Sequence, residues 1–151
     1  MKIQIADIHT GLDATLDLLN KEIKEHISIE KSYDLSIGKI ECFPGDLNQV
    51  FLNILINAIH SFDNLGGLIH IKTKNGDKHI SIDITDNGAG MSKDISARIF
   101  DPFFTTKEIG KGTGLGLSIS YGIIKKHKGN IQVISKLGEG TSFVISLPKF
   151  Q

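Results

Sequence analysis

Residues 46–62 of the chain, DLNQVFLNILINAIHSF, carry apolar side chains on almost every side of a predicted helix and a single polar stripe among them. The stripe consists of Gln49, Asn53, Asn57 and His60, whose spacing places all four on one helix face. Asn has a poor helix propensity, and its amide needs hydrogen-bond partners when it is buried. Two such residues on a buried helix indicate either a polar ligand or cation beside the stripe, or hydrogen bonds to neighbouring backbone.

The segments on both sides of this helix alternate between strand and helix patterns. Apolar spacing predicts one further helix over residues 11–26 and another over about 115–128, and Pro44-Gly45 is expected to be a break. Consecutive strands joined by hairpin signals such as Asn75-Gly76-Asp77 predict an α+β fold. We expect a two-layer α/β sandwich with a mixed, mostly antiparallel sheet and helices on one face. Strand patterns occupy residues 1–8, 27–33, 39–43, 68–73, 79–85, 130–136 and 141–147.

An acidic turn, Asp86-Asn87-Gly88-Ala89-Gly90-Met91, directly follows one predicted strand. A carboxylate at the end of a strand, followed by two glycines, places a hydrogen-bond acceptor where backbone can approach a flat ligand closely. Such an acceptor suits an exocyclic amine. The same string is also typical of a plain turn, so this motif alone decides nothing.

A second glycine-rich segment, GKGTGLGLS at residues 110–118, has glycine at alternate positions and leads into a predicted helix. Free N–H groups and the positive dipole end at a helix start suit a phosphate, and Lys107 and Lys111 add positive charge. Neither a GxxxxGK[ST] string nor a GxGxxG following a strand occurs, which excludes the P-loop and dinucleotide fingerprints. The irregular stretch 86–114 is too long for an ordinary connection and predicts a functional loop.

The composition is that of one globular domain over residues 1–151. Hydrophobic residues make up 40% and charged residues 23%, and Lys plus Arg equal Asp plus Glu at 17 each. This balance gives no bulk charge that would attract nucleic acid or an anionic membrane. No apolar run approaches the roughly 18 residues of a membrane span, so a cytoplasmic location is expected. Cys42 has no partner for an internal disulfide and is expected to be a small buried residue of a strand.

Five motifs in order resemble those of the ATP-binding catalytic domain of sensor histidine kinases. That family shares a superfamily with gyrase, the heat-shock chaperone ATPases and the mismatch-repair ATPases. The similarity covers about residues 8–147 and implies a Bergerat fold, with ATP between the helices and a mobile ATP lid. The motifs are an asparagine box at 53–58, glycine boxes at 86–91 and 112–117, a phenylalanine box at 99–107 and a closing box at 138–141.

The resemblance also implies roles for individual residues. Asn57 would be the metal ligand and bind Mg²⁺ through its side-chain oxygen, while Asp86 would accept from the adenine amine with help from Thr141 and Gly90. Asn53 and Lys107 are the candidate catalytic residues, close to the phosphates of ATP. The full set of candidate nucleotide-binding residues is Asn53, Asn57, His60, Asp86, Gly88, Gly90, Thr105, Thr106, Lys107, Gly110, Lys111, Gly112, Thr113, Gly114, Leu115, Gly116, Leu117 and Thr141.

Two positions depart from patterns within the superfamily. Asn53 lies where the true ATPases have a glutamate that activates water, and because an amide is no general base we expect slow ATP hydrolysis. His60 lies where many histidine kinases have a lysine, which makes pH-sensitive nucleotide binding a hypothesis.

The implied function is transfer of the γ-phosphoryl group of Mg-ATP to a histidine on a separate dimerisation domain. A response regulator would act downstream, and the isolated domain would be a monomer. No histidine here has the context of a phosphoacceptor: His9 and His26 lack it, and His70, His79 and His127 are expected to be exposed. The phosphoacceptor and sensor domains are therefore expected outside these residues. The alternatives are an anti-sigma-type serine kinase and a non-catalytic nucleotide-binding regulator on the same fold.

Overall fold

A computed structural model of the chain describes residues 2–23, 26–63, 66–104 and 116–151. Strands and helices follow one another along this part of the chain without internal repetition. In chain order they are β1 (Gln4–Ala6), α1 (Ile8–Leu18), β2 (Ile27–Ser32), β3 (Ile40–Cys42), α2 (Pro44–His60), β4 (Gly67–Asn75), β5 (His79–Asp86), α3 (Lys93–Arg98), α4 (Gly116–Lys126), β6 (Asn130–Lys136) and β7 (Gly140–Pro148).

The main sheet has five strands in the order β2-β4-β5-β7-β6, with β2 parallel to β4 and every other pair antiparallel. Alternate residues of β5, Ile80, Ile82 and Ile84, are buried in the common core, whereas Thr85 is exposed. This period of two means that helices cover one face of the sheet and the other face meets solvent. The predicted two-layer α+β sandwich with a mixed, mostly antiparallel sheet is confirmed.

The two short strands β1 and β3 form a separate antiparallel ribbon, in which Gln4 lies opposite Cys42. Ile40 and Cys42 turn towards the core and are 3% and 1% exposed, while Ile5 is 68% exposed. The predicted small, buried role of Cys42 in a strand is therefore confirmed.

Two helix starts differ from the predictions. Helix α1 begins at Ile8, not at residue 11, because the Asp7 carboxylate caps it and accepts a hydrogen bond from the His9 N–H at 2.9 Å. It also ends at Leu18, well before residue 26. Pro44 does not break the chain but lies in the first turn of α2, where the missing N–H of proline has no helical partner to lose.

Helix α3 lies within the stretch 86–114, which we predicted to be irregular throughout. It is short, and the hydroxyl of its N-cap Ser92 accepts from the Ile95 N–H at 3.3 Å. None of its residues is buried, so it lacks the apolar periodicity from which a helix is predicted.

Helix α2 is central to the core. Its Phe51, Ile54 and Leu55 are at most 1% exposed, and α2 packs against α1, α4 and β5. The polar stripe lies on the side of this helix that meets the start of α4. Within the described segments, no helix is long and apolar enough to cross a lipid bilayer.

Candidate functional site

Asp86 is the last residue of β5 and lies in the middle of the sheet. It is opposite Ile69 of β4 on one side and Thr141 of β7 on the other. Asp86 is 3% exposed and Thr141 is 4% exposed. Since Asp86 continues the buried alternation of β5, its carboxylate is on the helix-covered face of the sheet, the same face on which α2 packs.

Burial raises the pKa of the Asp86 carboxyl above its ordinary value. Hydrogen bonds from the Gly88 N–H at 2.9 Å, the Ser61 side chain and the Thr141 backbone act in the opposite direction and offset only part of that shift. Among the described residues no cationic side chain pairs with Asp86, and a buried carboxylate in such an environment is a candidate functional group.

Three glycines around Asp86 allow unusually close backbone packing. A Cβ on Gly88 would be 2.0 Å from the Ser61 Oγ, and one on Gly90 would be 2.0 Å from the Lys136 carbonyl oxygen. At Gly140 it would be 2.0 Å from the Asp86 carbonyl oxygen. Gly90 and Gly140 also have positive φ values of 69° and 115°. The turn after β5 is therefore held between the end of α2 and the β6–β7 hairpin.

Ser135 links the same turn to β7. Its Oγ accepts from the Met91 N–H at 2.8 Å, donates to the Gly140 carbonyl at 3.0 Å and lies 2.8 Å from the Thr141 Oγ1. The Gly138 N–H donates to the Ala89 carbonyl at 2.7 Å. These bonds bring the first glycine box and the closing box, about fifty residues apart in the sequence, into one unit around Asp86.

Asn53 connects α2 to the first turn of α4. Its Nδ2 donates to the Gly116 carbonyl at 2.8 Å and to the Ser120 Oγ at 3.1 Å. Its Oδ1 accepts from the Gln49 Nε2 at 2.8 Å. Of the two interpretations of the polar stripe, hydrogen bonding to neighbouring backbone therefore holds for Asn53.

The other two members of the stripe follow Asn53 along α2. Asn57 is one turn further and partly buried, and His60 is the last residue of the helix and exposed. The stripe thus runs from the start of α4 towards Ser61, which contacts the turn after Asp86. Asn53, Asn57 and Asp86 are accordingly brought to one side of the molecule, between α2, α4 and the strand ends.

The phenylalanine box is anchored to the core through its second residue. The Phe100 ring lies 5.5 Å from the Tyr121 ring of α4 and 6.2 Å from the Phe143 ring of β7, between centroids. Phe103 instead is 73% exposed and has a φ of 65°, a conformation that is rare outside glycine. Phe104 lies under the Arg98 guanidinium at 4.7 Å.

The glycine-rich segment lies mostly outside the described residues. Gly116 and Leu117, which begin α4, are partly buried, and Leu117 packs against the core. The candidate residues outside the described part of the chain are Thr105, Thr106, Lys107, Gly110, Lys111, Gly112, Thr113, Gly114 and Leu115.

His127 corrects the prediction that it would be exposed, as it is only 1% exposed. Its Nε2 accepts from the Phe43 N–H at 3.0 Å, and its Nδ1 donates to the Ile123 carbonyl at 2.8 Å. Because the ring faces back towards α2, helical position alone did not identify it as buried. His79 is exposed as predicted, and His70 is partly buried and bonded to Ser32.

Sequence reasoning also missed three serines that build this region. Ser61, Ser120 and Ser135 contact Asp86, Asn53 and Thr141, respectively. None lies inside one of the five boxes. The only available signal was for Ser120, a polar residue on the otherwise apolar inner side of α4.

Comparison with protein families places most of the chain in one family. Residues 44–151 match the family described as histidine kinase-, DNA gyrase B-, and HSP90-like ATPase. The matched range includes α2, the acidic turn 86–91 and the glycine-rich segment 110–118.

Among characterised proteins, the chain is similar to sensor kinases of bacteria. It is 45% identical over 137 residues to sporulation kinase E of Bacillus subtilis, covering 89% of this chain and 18% of that protein. It is 48% identical over 147 residues to the signal transduction histidine-protein kinase AtoS of Escherichia coli, covering 96% of this chain and 24% of that protein. The chain therefore spans less than a quarter of these relatives.

Solved structures that are similar to this chain are also histidine kinases. The catalytic domain of histidine kinase ThkA superposes with a TM-score of 0.88 at 27% identity, covering 99% of this chain and 97% of that one. ThkA has also been solved in complex with the response regulator protein TrrA, where the match has a TM-score of 0.81 at 24% identity over 97% of this chain and 42% of that one. With its sheet order, its buried Asp86 and this match over residues 44–151, the chain belongs to the family of histidine kinase-, DNA gyrase B- and HSP90-like ATPases.

Proposed function

We propose that this chain is the ATP-binding catalytic domain of a sensor histidine kinase. It binds Mg-ATP and donates the γ-phosphoryl group to a histidine on a separate dimerisation domain. The observation that carries the proposal is Asp86, a buried carboxylate with a raised pKa at the end of a central strand, next to the polar stripe of α2. A carboxylate can accept a further hydrogen bond from a ligand, and the adenine amine is a suitable donor.

The recognition of adenine rests on the unit built by the turn after β5 and the closing box. Asp86 accepts from the amine, and the nearby Thr141 hydroxyl, 2.8 Å from Ser135, offers a second polar group. Gly88 and Gly90 allow this turn to lie close to Ser61 and to Lys136 of β6, where a side chain at either position would collide. An apolar wall with a few placed polar groups is the usual composition of such a pocket.

Mg²⁺ fits the donor set of this site. No group of three or more His, Cys, Asp or Glu side chains that would hold a metal ion occurs among the described residues. Mg²⁺ is commonly bound by one or two protein oxygens together with substrate phosphates and water. The partly buried Asn57 supplies such an oxygen from its amide, and the bound ion would neutralise phosphate charge during transfer.

Phosphoryl transfer asks the protein mainly for positioning and charge stabilisation. The bond from the γ-phosphorus to the β-phosphate oxygen breaks as a bond to the attacking imidazole nitrogen forms, and ADP leaves. In our proposal Lys107, Lys111 and the N–H groups of residues 112–117 hold the phosphates, with Asn53 close to them and His60 at the edge of the site. Asn53 carries an amide where a hydrolytic enzyme needs a base, so transfer to a histidine is favoured over hydrolysis.

The partners follow from the same proposal. The phosphoacceptor histidine belongs to another domain of the parent kinase, and a response regulator accepts the phosphoryl group from it. Support comes from the sensor kinases to which the chain is similar and from the regulator complex of ThkA. We place the domain in the cytoplasm as a monomer, with residues 1–151 forming one domain.

Calorimetric titration tests nucleotide binding directly. The chain is titrated with ADP and with a non-hydrolysable ATP analogue, each with and without Mg²⁺. We expect micromolar-range binding, on the order of −8 kcal/mol, that strengthens with Mg²⁺. A folded chain that binds neither nucleotide contradicts the proposal.

Transfer to an acceptor tests the reaction itself. Radiolabelled ATP and the chain are mixed with the phosphoacceptor domain of the parent kinase as a separate polypeptide. Label that is lost in acid and retained in base identifies phosphohistidine, since the phosphorus–nitrogen bond hydrolyses in acid. Label that survives acid would indicate a serine kinase, and no label with intact ATP binding would indicate a non-catalytic regulator.

A further inference from the structure

The amide of Asn53 has both of its hydrogens committed to helix α4. The Gly116 carbonyl can only accept, so the atom 2.8 Å from it is the amide nitrogen. The Ser120 hydroxyl donates to the same carbonyl at 2.9 Å and therefore accepts the second Asn53 hydrogen at 3.1 Å. The orientation of the amide is thus fixed by its partners, and no hydrogen remains for a phosphate.

Ser120 is the buried member of this network and Gln49 the exposed one. Ser120 is 0% exposed, whereas the Gln49–Asn53 hydrogen bond is at the surface. A side-chain pair four residues apart on an exposed helix face contributes only about 0.2–0.5 kcal/mol. A buried hydroxyl left unpaired, or removed from a buried partner, costs several times more. Ser120 therefore matters more than Gln49 for the position of Asn53.

The hydrogen bonds to the Gly116 carbonyl lie where the proposed phosphate-binding segment meets helix α4. Gly116 is the first residue of α4 and is itself part of the glycine-rich segment 110–118. Asn53 lies on α2 one turn before Asn57, the proposed Mg²⁺ ligand. Any shift of Gly116 relative to α2 would therefore change the distance between the two parts of the site that hold phosphate and cation.

We propose that Ser120 is a positioning residue for the phosphate end of the nucleotide site: together with Asn53 it ties the first residue of α4 to α2. This inference rests on the proposed function. It assigns Asn53 the task of placing the start of α4, with only an Oδ1 lone pair left to face the nucleotide. It also gives a reason for an amide at this position, because a carboxylate could not donate to the Gly116 carbonyl.

Helix α1 offers a matched control for the removal of this hydroxyl. Thr15 is 2% exposed, and its hydroxyl donates to the carbonyl of Gly11, four residues earlier, at 2.8 Å. Ser120 makes the same bond to Gly116, also a glycine four residues earlier. The difference is that only Ser120 receives a hydrogen bond from Asn53. Thr15→Val and Ser120→Ala therefore delete equivalent hydrogen bonds within a helix. Only Ser120→Ala also removes a hydrogen bond between α4 and Asn53 of α2.

The test compares three ligands on the wild-type chain, Ser120→Ala and Thr15→Val. Adenosine reports the adenine pocket, ADP adds two phosphates, and a non-hydrolysable ATP analogue with Mg²⁺ reports the complete site. We expect Ser120→Ala to weaken binding of the ATP analogue by roughly 3- to 10-fold, the value of about one hydrogen bond, with adenosine affinity unchanged. Thr15→Val should leave both affinities at the wild-type level.

A general loss of stability would not produce this pattern. If Ser120→Ala weakens adenosine and the ATP analogue by the same factor, or weakens neither, the inference is wrong while the proposed function stands. If the wild-type chain binds no nucleotide, both the proposed function and this inference are wrong. Should the alanine variant fail to fold, Ser120→Cys, which keeps a weak donor of similar size, is held to the same criterion.

Discussion

The imidazole Nε2 of His127 accepts a hydrogen bond from the backbone N–H of Phe43 at 3.0 Å, which joins the end of α4 to the start of α2. Phe43 is the N-cap residue of α2 and makes no side-chain cap of its own. The two rings also meet edge to face, with centroids 5.4 Å apart. With the Asn53 bonds at the start of α4, helix α4 is bonded to α2 at both of its own ends.

We expect His127→Ala to lower the free energy of unfolding by about 2–4 kcal/mol. The substitution leaves a cavity in a site that is 1% exposed and removes the acceptor of the Phe43 N–H. Urea unfolding followed by circular dichroism measures the change. The exposed His79→Ala is the control and should stay within about 0.5 kcal/mol of wild type. If His127→Ala lowers the free energy of unfolding by less than about 1 kcal/mol, the contact between His127 and Phe43 contributes little to stability.

Asp86→Asn should abolish or strongly weaken binding of adenosine as well as of ATP. The substitution replaces one of the two acceptor oxygens with an NH₂ donor, and the remaining oxygen is needed by the Gly88 N–H. Asp83→Asn is the matched control: it makes the same change three residues earlier in β5, opposite Val144 and on the other face of the sheet. Calorimetry with adenosine measures both variants. If folded Asp86→Asn binds adenosine with wild-type affinity, Asp86 does not recognise adenine.

Adenosine affinity should fall as the pH is lowered, and the fall should begin above the ordinary aspartate value of 3.8 because burial raises the pKa of Asp86. The protonated carboxyl loses acceptor capacity towards the amine. Adenosine is the suitable ligand because it has no phosphates near His60.

Protonation of Asp86 should affect the free energy of unfolding in the opposite direction to its effect on adenosine affinity. Because the pKa of Asp86 is higher in the folded chain than in the unfolded one, the folded chain binds this proton more readily. The free energy of unfolding of wild type minus that of Asp86→Asn should therefore increase as the pH falls from neutral through the raised pKa towards 3.8. A difference that decreases over this window would mean that the pKa is not raised.

Gly140→Ala should destabilise the chain more than Gly138→Ala, although both glycines have positive φ values of 115° and 81°. At Gly138 a Cβ meets nothing within 4 Å, so only the backbone conformation costs energy, about 1–2 kcal/mol. At Gly140 it would also collide with the Asp86 carbonyl and push β5 and β7 apart. Thermal unfolding of the two variants gives the comparison, and equal losses would contradict it.

Gly122→Ala should stabilise the chain by about 0.5–1 kcal/mol, since Gly122 is an exposed residue inside α4 with open space around its Cβ position. Urea unfolding measures the gain. No gain would indicate that α4 is not helical at this residue in solution.

Much of the fold followed from local patterns. The positions of the main strands along the chain, the central helix with its polar stripe and the burial of Cys42 were predictable because the periods of two and 3.6 are imposed by burial of one face. Helix ends were less predictable: the Asp7 cap and the position of Pro44 in a first turn depend on single side-chain contacts. Helix α3 was missed because it buries nothing.

Sequence motifs indicated the residues of the candidate site, but they did not predict how these residues are arranged in space. The sequence by itself determined which side chains are available: the Asp86 carboxylate, the amides of the stripe and the glycines, each recognisable from its chemistry and local spacing. Only the tertiary structure decided that the hydrogens of Asn53 are committed to α4 and that His127 is buried against Phe43. These contacts join residues more than sixty positions apart, and their formation depends on how helices pack across the core, which no local period encodes.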